Sequence, residues 1–171
     1  MSRMARHSEA LSGDLEVMEV PAEVTHDLRR RVLRAHLPAA EVVYPADDAP
    51  GSFHLALRAG PRTLGIASFS LEPVPEGEGD GPAARLRGMA VEPTYQRRGL
   101  GRLLLREAVQ RLARDGVRAC WANARVSALP FYEALGFAVR SEEFESVGLP
   151  HRVVVLPLAP APRHPLSPGG G

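Results

Sequence analysis

The sequence predicts an α/β protein with a mixed β-sheet in one domain, and three observations support that class. The chain has 171 residues, the size of an ordinary domain, with 44% hydrophobic and 24% charged residues, close to the globular average. Stretches with strand-like alternation and stretches with helical periodicity follow one another in the order βα–ββ–β–α–β–α–β–β. A long amphipathic helix between two strands of the second half implies a parallel strand pair with a right-handed crossover.

The first half begins with a strand and a helix. Residues Asp14–Val20 alternate between apolar and polar side chains, which predicts a strand. Pro21 suits the first turn of a helix, and the apolar stripe after it predicts a helix up to about Leu37. Residues 38–52 show no regular pattern. Two more strands, joined by a tight turn at Gly60 and Pro61, are predicted over His54–Arg58 and Arg62–Leu71.

The strongest element of the second half is a helix over Gly99–Asp115, in which Leu100, Leu104 and Leu112 lie on one edge. Gly116 is the expected residue after its C-terminus. The other elements predicted in this half are a strand at Ala84–Val91, a strand at Val117–Asn123, a short helix from Ser127 or Ala128 to Leu135, and two strands at Phe137–Phe144 and His151–Leu156.

Proline and glycine mark the expected limits of the folded domain. Eight of the fifteen residues from Pro157 to Gly171 are proline or glycine, which predicts a disordered tail over 159–171. The segment Pro73–Pro82 has a similar composition with added acidic residues, which predicts a flexible loop between strands. With a loose arm at 1–12, the folded domain is expected to span 13–158.

Composition excludes several classes of function. The 21 basic and 20 acidic residues give a net charge of +1, so neither nucleic acid nor an anionic membrane is an expected partner. No apolar run is long enough for a membrane helix and the first ten residues lack a signal-peptide core, so we expect a cytoplasmic monomer or homodimer. The single cysteine, Cys120, excludes an intramolecular disulfide, and the histidines show no metal-ligand spacing. We therefore predict no metal site, and we expect Cys120 to be a small buried residue rather than a nucleophile.

The segment Gln96–Arg102 lies between a predicted strand and the long helix. The first turn of a helix presents unpaired backbone N–H groups and the positive end of the helix dipole, which favour phosphate. Gly99 and Gly101 let a ligand approach the backbone closely, because they have no Cβ. Arg97 and Arg98, with Arg102, add positive charge. The segment is therefore a candidate diphosphate-binding loop.

Two common phosphate motifs do not fit this loop. A P-loop needs a lysine after its glycines, and this chain contains no lysine. A dinucleotide fingerprint needs a third glycine, and Leu104 occupies that position. A solvated basic helix start remains the structural alternative.

Three stretches, in this order, resemble motifs of the GNAT family of N-acetyltransferases. The strand Leu86–Val91 resembles the family's strand before the phosphate loop. Gln96–Gly101, with the sequence Gln-Arg-Arg-Gly-Leu-Gly, resembles the family signature Gln/Arg-x-x-Gly-x-Gly/Ala. Ala128–Phe137 resembles the family helix Ala-x-x-x-Tyr-x-x-x-Gly-Phe.

The resemblance covers residues 84–156 closely and residues 13–83 only in the order of elements. The run Trp121–Arg125, followed by Glu142–Phe144 and Pro150–His151, is similar to a small bacterial subgroup resembling ElaA. The family fold is a mixed central sheet of about seven strands with flanking helices, in which two splayed parallel strands form a cleft for coenzyme A.

The resemblance implies acetyl-CoA as the cofactor and a small-molecule amine as the acceptor. The strand edge near Met89 would bind the pantetheine arm through its backbone, and the helix start would bind the pyrophosphate. The residues that the resemblance assigns to cofactor binding are Met89, Ala90, Val91, Gln96, Arg97, Arg98, Gly99, Leu100, Gly101, Arg102, Asn123, Ser127 and Phe131.

Tyr132 matches the family tyrosine that protonates the departing thiolate after direct attack of a neutral amine. A phenol with a pKa of about 10 can donate a proton to a thiolate of comparable basicity. A strand N–H near Met89 or Ala90 would hold the oxyanion. The structural alternative is a tyrosine that only packs beside Phe131 and Leu135.

The acceptor side of the cleft leaves several alternatives open. The family's pantetheine-binding asparagine aligns with Arg125, whereas Asn123 lies two residues earlier on the same strand face, so either residue could contact CoA. Arg87 is expected to pair with Glu142 or Glu143, or to bind an acidic acceptor. The candidate acceptor-binding residues are Arg87, Arg125, Glu143 and His151, with His151 a base or a surface histidine.

The sequence thus predicts an acetyl-CoA-dependent N-acetyltransferase. The alternative is an acyl-CoA-binding sensor or scaffold without turnover. The strand Ala84–Val91 carries no carboxylate that could act as a general base, which keeps this alternative open. Tyr132 favours the enzyme, because a module that only binds needs no acid for a leaving group.

Overall fold

The computed structural model describes residues 14–36, 42–75 and 81–160. The predicted N-terminal arm, most of the predicted tail and the centre of the Pro73–Pro82 loop lie outside these residues. The described part is a mixed sheet of eight strands with helices packed against it. The strands are β1 Leu15–Val20, β2 Phe53–Ala59, β3 Arg62–Leu71, β4 Ala83–Val91, β5 Ala119–Arg125, β6 Ala138–Val139, β7 Phe144–Ser146 and β8 Leu149–Pro157.

The strands follow the order β1-β2-β3-β4-β5-β8-β6, and β7 pairs with β8. Neighbouring strands are antiparallel except for β4 and β5, which are parallel. A parallel pair needs a crossover, and helix α2 at Leu100–Arg114 provides it. The predicted mixed sheet and its parallel pair are therefore confirmed.

Two helical segments differ from ideal α-helices. The first, α1, runs through residues 22–33 as a 3-10 turn, a short α-helical turn and a π-helical turn, and the N–H of Arg34 bonds the carbonyl of Arg29 at 3.0 Å. It ends four residues before the predicted end at Leu37. Further along the chain, a 3-10 turn at Val126–Ala128 leads into the short helix α3 at Leu129–Ala134.

The sheet has one strand more than expected, because the predicted strand Phe137–Phe144 is broken into β6 and β7. At the break, the hydroxyl of Ser141 accepts a hydrogen bond from the N–H of Val153 at 2.8 Å. A side chain thus replaces a backbone partner, and the regular ladder stops at that point.

The main core lies between the sheet and helices α2 and α3. Helix α2 contributes a buried stripe that contains Leu104, Leu105, Ala108 and Leu112. Cys120 of β5 is fully buried in this core, and burial raises the pKa of its thiol to about 12. Within the described ranges, no helix has the length and apolar character needed to cross a membrane.

Candidate active site

The cleft of the protein opens where β4 and β5 separate. The two strands pair only from Ala83 with Ala119 to Leu86 with Ala122. Beyond that point β4 stays with β3, and β5 stays with β8 up to Arg125. The splayed pair borders a cavity of about 250 Å³. The predicted splayed parallel pair is therefore confirmed.

A bulge in β4 shapes the cleft wall. Ile66 pairs with Ala90 and Ser68 pairs with Arg87, so one extra residue on β4 lies between these pairs. Gly88, inside the bulge, has a φ of +58°, and a Cβ there would lie 3.1 Å from both Arg29 and Tyr44. The positive φ and the close contacts that a Cβ would make both favour glycine at this position. A glycine within a strand pattern is the sequence signal that could have located this bulge.

The backbone of β4 offers hydrogen bonds to the cleft beyond the bulge. The N–H of Glu92 bonds the carbonyl of Leu64 at 2.8 Å, so alternation of the antiparallel ladder turns the polar groups of Ala90 toward β3. Those of Val91 point to the other edge. Ala90 is buried and does not line the cleft, whereas Met89 does.

Tyr132 of α3 is both packed and directed at the cleft. Its side chain is 8% exposed, and its ring makes edge contacts with Phe131 and Phe137 at centroid distances of 5.2 Å. It lines the cavity, and within the described ranges no residue forms a hydrogen bond with its hydroxyl. Burial, with a smaller effect of Cys120, raises the pKa of Tyr132 above that of an ordinary tyrosine. The phenol therefore stays protonated.

Asn123 and Arg125 lie on the same face of β5, as predicted, and both line the cleft. The Arg125 guanidinium donates a hydrogen bond to the carbonyl of Leu33 in α1. Burial lowers the pKa of Arg125, and the nearby charge of Arg34 lowers it further. Both candidates for the family asparagine position thus reach the cleft.

The loop before α2 has a strained backbone that is open to solvent. Arg97 and Gly99 have φ values of +64° and +78°, and no side chain caps the helix at Gly99. A Cβ on Gly99 would meet nothing within 4 Å, so its glycine is required by conformation, with open space beside it. Arg98 and Arg102 are exposed, and Arg98 lies above the ring of Tyr95.

Gln96 and Gly101 have structural roles that the sequence did not indicate, whereas Leu100 packs as its place on the apolar edge of the helix predicts. The amide of Gln96 donates to the carbonyl of Val91 at 3.0 Å and closes the loop. Leu100 is buried in the core, so only its backbone can face a ligand. A Cβ on Gly101 would lie 3.2 Å from Phe131 and 3.3 Å from Met89, so this glycine permits close packing of α2 against α3 and β4.

The predicted ion pair of Arg87 with Glu142 or Glu143 is wrong. Arg87 instead bonds Glu72 at 2.8 Å. Burial opposes ionisation of Glu72, but hydrogen bonds from Arg87 and Ser70 outweigh it and lower the pKa of this carboxyl. Glu142 and Glu143 are exposed, and neither lines the cleft.

His151 is buried and lines the cleft, so the interpretation as a surface histidine is wrong. Its Nδ1 is 2.8 Å from the carbonyl of Leu149. A carbonyl only accepts, so Nδ1 carries the proton and Nε2 of the neutral ring is an acceptor. The ring also stacks on Phe144, with centroids 6.0 Å apart. Ser127, by contrast, is exposed on the 3-10 turn before α3.

A buried ion pair fixes Tyr44 in the cleft wall. Arg29, fully buried in α1, donates to both oxygens of Asp47, at 2.7 and 2.9 Å, and to Ser68 at 2.7 Å. Its guanidinium lies 3.9 Å above the ring of Tyr44, which lines the cavity. Burial opposes ionisation of Asp47, but hydrogen bonds from Arg29 and from the Tyr44 N–H prevail and lower its pKa.

Among the residues that the structure describes, no group of three or more histidine, cysteine, aspartate or glutamate side chains could hold a metal ion. The polar side chains that line the cleft are those of arginine, asparagine, tyrosine, histidine and Ser146, and the β4 backbone lies beside them.

Comparison with known proteins identifies the family. Residues 22–137 match the family model described as the acetyltransferase (GNAT) family. The chain is 36% identical over 141 residues to the uncharacterized N-acetyltransferase YitI of Bacillus subtilis. The aligned region covers 82% of this chain and 94% of YitI. It is also 36% identical over 108 residues to the [ribosomal protein bS18]-alanine N-acetyltransferase of Salmonella typhimurium, over 61% of this chain and 68% of the relative.

Among solved structures, an acyl-CoA N-acyltransferase from Pseudomonas aeruginosa superimposes with a TM-score of 0.69 at 18% identity, covering 83% of this chain and 99% of the other. This likeness supports the fold. The narrower resemblance to the ElaA-like subgroup stays a prediction. The chain belongs to the GNAT acetyltransferase family, and it is an N-acetyltransferase.

Proposed function

We propose that the chain transfers an acetyl group from acetyl-CoA to a primary amine by direct attack, with Tyr132 as the general acid. The observation that carries this proposal is the position of Tyr132, whose buried side chain lines the gap between the separated strands β4 and β5.

The loop before α2 fits a diphosphate. Its N–H groups in the first helical turn have no intrahelical partners, and no side chain caps them. In the described part of the chain, no carboxylate forms an ion pair with Arg97, Arg98 or Arg102. An exposed basic helix start is electrostatically unfavourable without an anion, so the loop suits the pyrophosphate of CoA better than plain solvent.

Acetyl-CoA, when bound, supplies an activated acetyl group as a thioester. The backbone edge of β4 at Met89 and the N–H of Val91 is suited to orient an extended amide-containing arm, because β5 has separated from β4 there. The carbonyl of Val91 already accepts a hydrogen bond from Gln96. Tyr132 donates a proton to the leaving sulfur. Burial raises the pKa of its phenol, so the group is protonated at neutral pH but is a weaker acid than an exposed tyrosine. His151 Nε2 is the acceptor in the cleft that can take a proton from the amine.

The acceptor class is part of the proposal. The Salmonella relative is named for the alanine of ribosomal protein bS18, so a protein N-terminus is one candidate. A small amine is the other, and the modest cavity supports it, because pockets for drug-sized ligands usually exceed about 300 Å³. We propose the small amine.

The test is incubation of the full chain with acetyl-CoA and a panel of small amines and N-terminal peptides, with thiol release as the readout and mass spectrometry of the products. Acetylation of a primary amine supports the proposal. Tight CoA binding without acetylation of any panel member would contradict it and favour the sensor interpretation.

A further inference from the structure

The acceptor end of the cleft carries more positive charge than its surroundings neutralise. Four arginine side chains line the cavity, and no carboxylate of the described residues does; the four are Arg34, Arg85, Arg87 and Arg125. Glu72 lies beside two of them, at 2.8 Å from Arg87 and 3.8 Å from Arg85. Within the described ranges, Arg34 and Arg125 have no carboxylate partner.

The fold brings these two arginines together from separate elements. Arg34 follows α1, while Arg125 ends β5 and donates a hydrogen bond to the carbonyl of Leu33, the residue before Arg34. The Arg34 guanidinium lies 5.5 Å from the ring centre of Tyr44, which the buried Arg29 holds in place.

Two neighbouring guanidinium groups in a cleft are costly without an anion. Both side chains are only partly exposed, and the pKa of Arg125 is lowered first by burial and then by the charge of Arg34. Like charges that share a partly desolvated site repel each other, and a bound anion removes this repulsion. The planar guanidinium fork is suited to a carboxylate.

We propose that Arg34 and Arg125 form a carboxylate-binding subsite, so that the acceptor is a free amino acid or a similar small amino carboxylate. This inference rests on the proposed acetyl transfer and names its substrate class. The subsite borders the same cavity as Tyr132 and His151, so one small molecule can place its carboxylate there and its amine at the reacting end.

The first experiment compares matched acceptors. With acetyl-CoA saturating, kcat/KM is measured for a series of amino acids, for their carboxamides, and for dipeptides that begin with the same residues. The amino acids should exceed their carboxamides by at least about tenfold, as expected for a charged hydrogen bond of 1.5–3 kcal/mol. Dipeptides used as well as amino acids would favour a protein N-terminus and overturn the small-acceptor assignment.

The second experiment uses variants. Arg34→Gln and Arg125→Gln should lower kcat/KM for the amino acid by about 10–100-fold and for its carboxamide by less than about threefold. Arg34→Lys, which keeps the charge, should retain part of the preference. Arg106→Gln is the matched control, because Arg106 is exposed on α2 and outside the cleft lining. Melting temperatures verify that each variant is folded.

Glu41 belongs to the segment 37–41, outside the described residues, and is therefore tested directly. Glu41→Gln should leave the preference for the carboxylate unchanged. A stronger preference in this variant would identify Glu41 as the counter-charge of the arginines and overturn the inference.

A binding measurement separates this inference from the proposed function. An N-acetylated amino acid should bind the CoA-saturated wild type at least tenfold more tightly than it binds Arg34→Gln. Equal kcat/KM for amino acids and their carboxamides, or equal decreases of kcat/KM for both in the variants, would overturn the carboxylate subsite. The proposed acetyl transfer would not be affected by either result. Absence of turnover with every amine overturns the proposed function, and the substrate class with it.

Discussion

Burial determines the protonation of Tyr132, the residue on which the proposed chemistry depends. The family pattern alone predicts an ordinary phenol, whereas the packed position between Phe131 and Phe137 raises its pKa. The group therefore holds its proton above the ordinary tyrosine pKa of about 10. Its titration should cause no alkaline decline of kcat below about pH 10.

Tyr132→Phe keeps the ring and its packing but removes the proton donor. We expect kcat to fall by about 10²–10⁴-fold, the usual contribution of a general acid, with an unchanged Kd for CoA. Stability should change by about 1 kcal/mol or less. Single-turnover kinetics with a productive amine make the measurement, because slow product release can mask a chemical defect. Turnover equal to wild type in that assay would remove Tyr132 from the mechanism.

Side-chain partners across the sheet were the least predictable part of the site. Arg87 was correctly expected to need a carboxylate. Its partner, however, is Glu72, which lies 15 residues earlier in the chain, directly after strand β3. Sequence spacing gives no register between β3 and β4, and the bulge at Gly88 shifts that register by one residue. Tyr44 and Arg34 were missed for the same reason, since long-range packing brings them to the cleft.

At the scale of elements, the loop and the first turn of α2 were predictable because the signal is local. Glycine at a left-handed position, arginines and the start of an amphipathic stripe lie within a few residues of one another. Gly101 shows the limit of such local reasoning, because its contacts come from α3 and β4. Substitutions of Gly101 would disturb packing, so charge variants test the loop more cleanly.

Arg102→Gln should weaken CoA binding by about 3–10-fold, the effect of about 1 kcal/mol from one exposed phosphate contact. Arg106→Gln, one turn further along α2, should leave the Kd unchanged. Calorimetric titration at low and high salt makes the comparison, and wild-type affinity should decrease with salt because screening weakens the charge term. Equal affinities of wild type and Arg102→Gln at low salt would refute a phosphate contact at this residue.

The observed boundaries of β5 and α1 differ from those that the hydrophobic pattern predicts. The strand β5 begins at Ala119 rather than at Val117, because the N–H of Val117 still bonds the carbonyl of Leu112 in the cap of α2. Helix α1 ends at Leu33, with its last turn widened to a π-turn beside the buried Arg29. A local capping hydrogen bond thus overrules periodicity at β5, and packing around the buried Arg29 accompanies the early end of α1.

Asp47→Asn should destabilise the fold by about 3–5 kcal/mol, because it leaves the buried charge of Arg29 without its partner. Asp27→Asn is the matched control, since Asp27 pairs with Arg31 in solvent at 69% side-chain exposure and should cost less than about 1 kcal/mol. Urea unfolding measures both.

The pH dependence of the Arg29–Asp47 ion pair follows from the direction in which folding shifts the pKa of Asp47. The pKa of Asp47 is lowered in the folded state, so its contribution is complete above the unfolded aspartate pKa of about 3.9 and is lost as pH falls through the lower folded value. The acid-induced loss of stability should be smaller in Asp47→Asn than in wild type. Identical acid profiles would show that the pair does not contribute.

At the scale of the whole molecule, the sequence predicts that the arm at 1–12 and the Pro/Gly-rich tail do not stabilise the domain. A chain of residues 13–160 should keep its melting temperature within about 2 °C and its Kd for CoA unchanged. Leu158 must remain, because it is buried and its N–H bonds the carbonyl of Arg118 at 2.8 Å. Leu158→Ala should cost about 2–5 kcal/mol, and a similar loss on trimming the ends would contradict the predicted limits.

Because Cys120 is fully buried, the reactivity of its thiol can be used to measure unfolding of the protein. A thiol with a pKa of about 12 and no solvent contact reacts negligibly with disulfide reagents at neutral pH, because only the accessible thiolate reacts. In a thiol-release assay, the folded enzyme therefore contributes no signal, and the absorbance change measures released CoA alone. Once the domain opens, this single thiol becomes reactive, so its labelling rate in the absence of substrate measures how often the whole core comes apart.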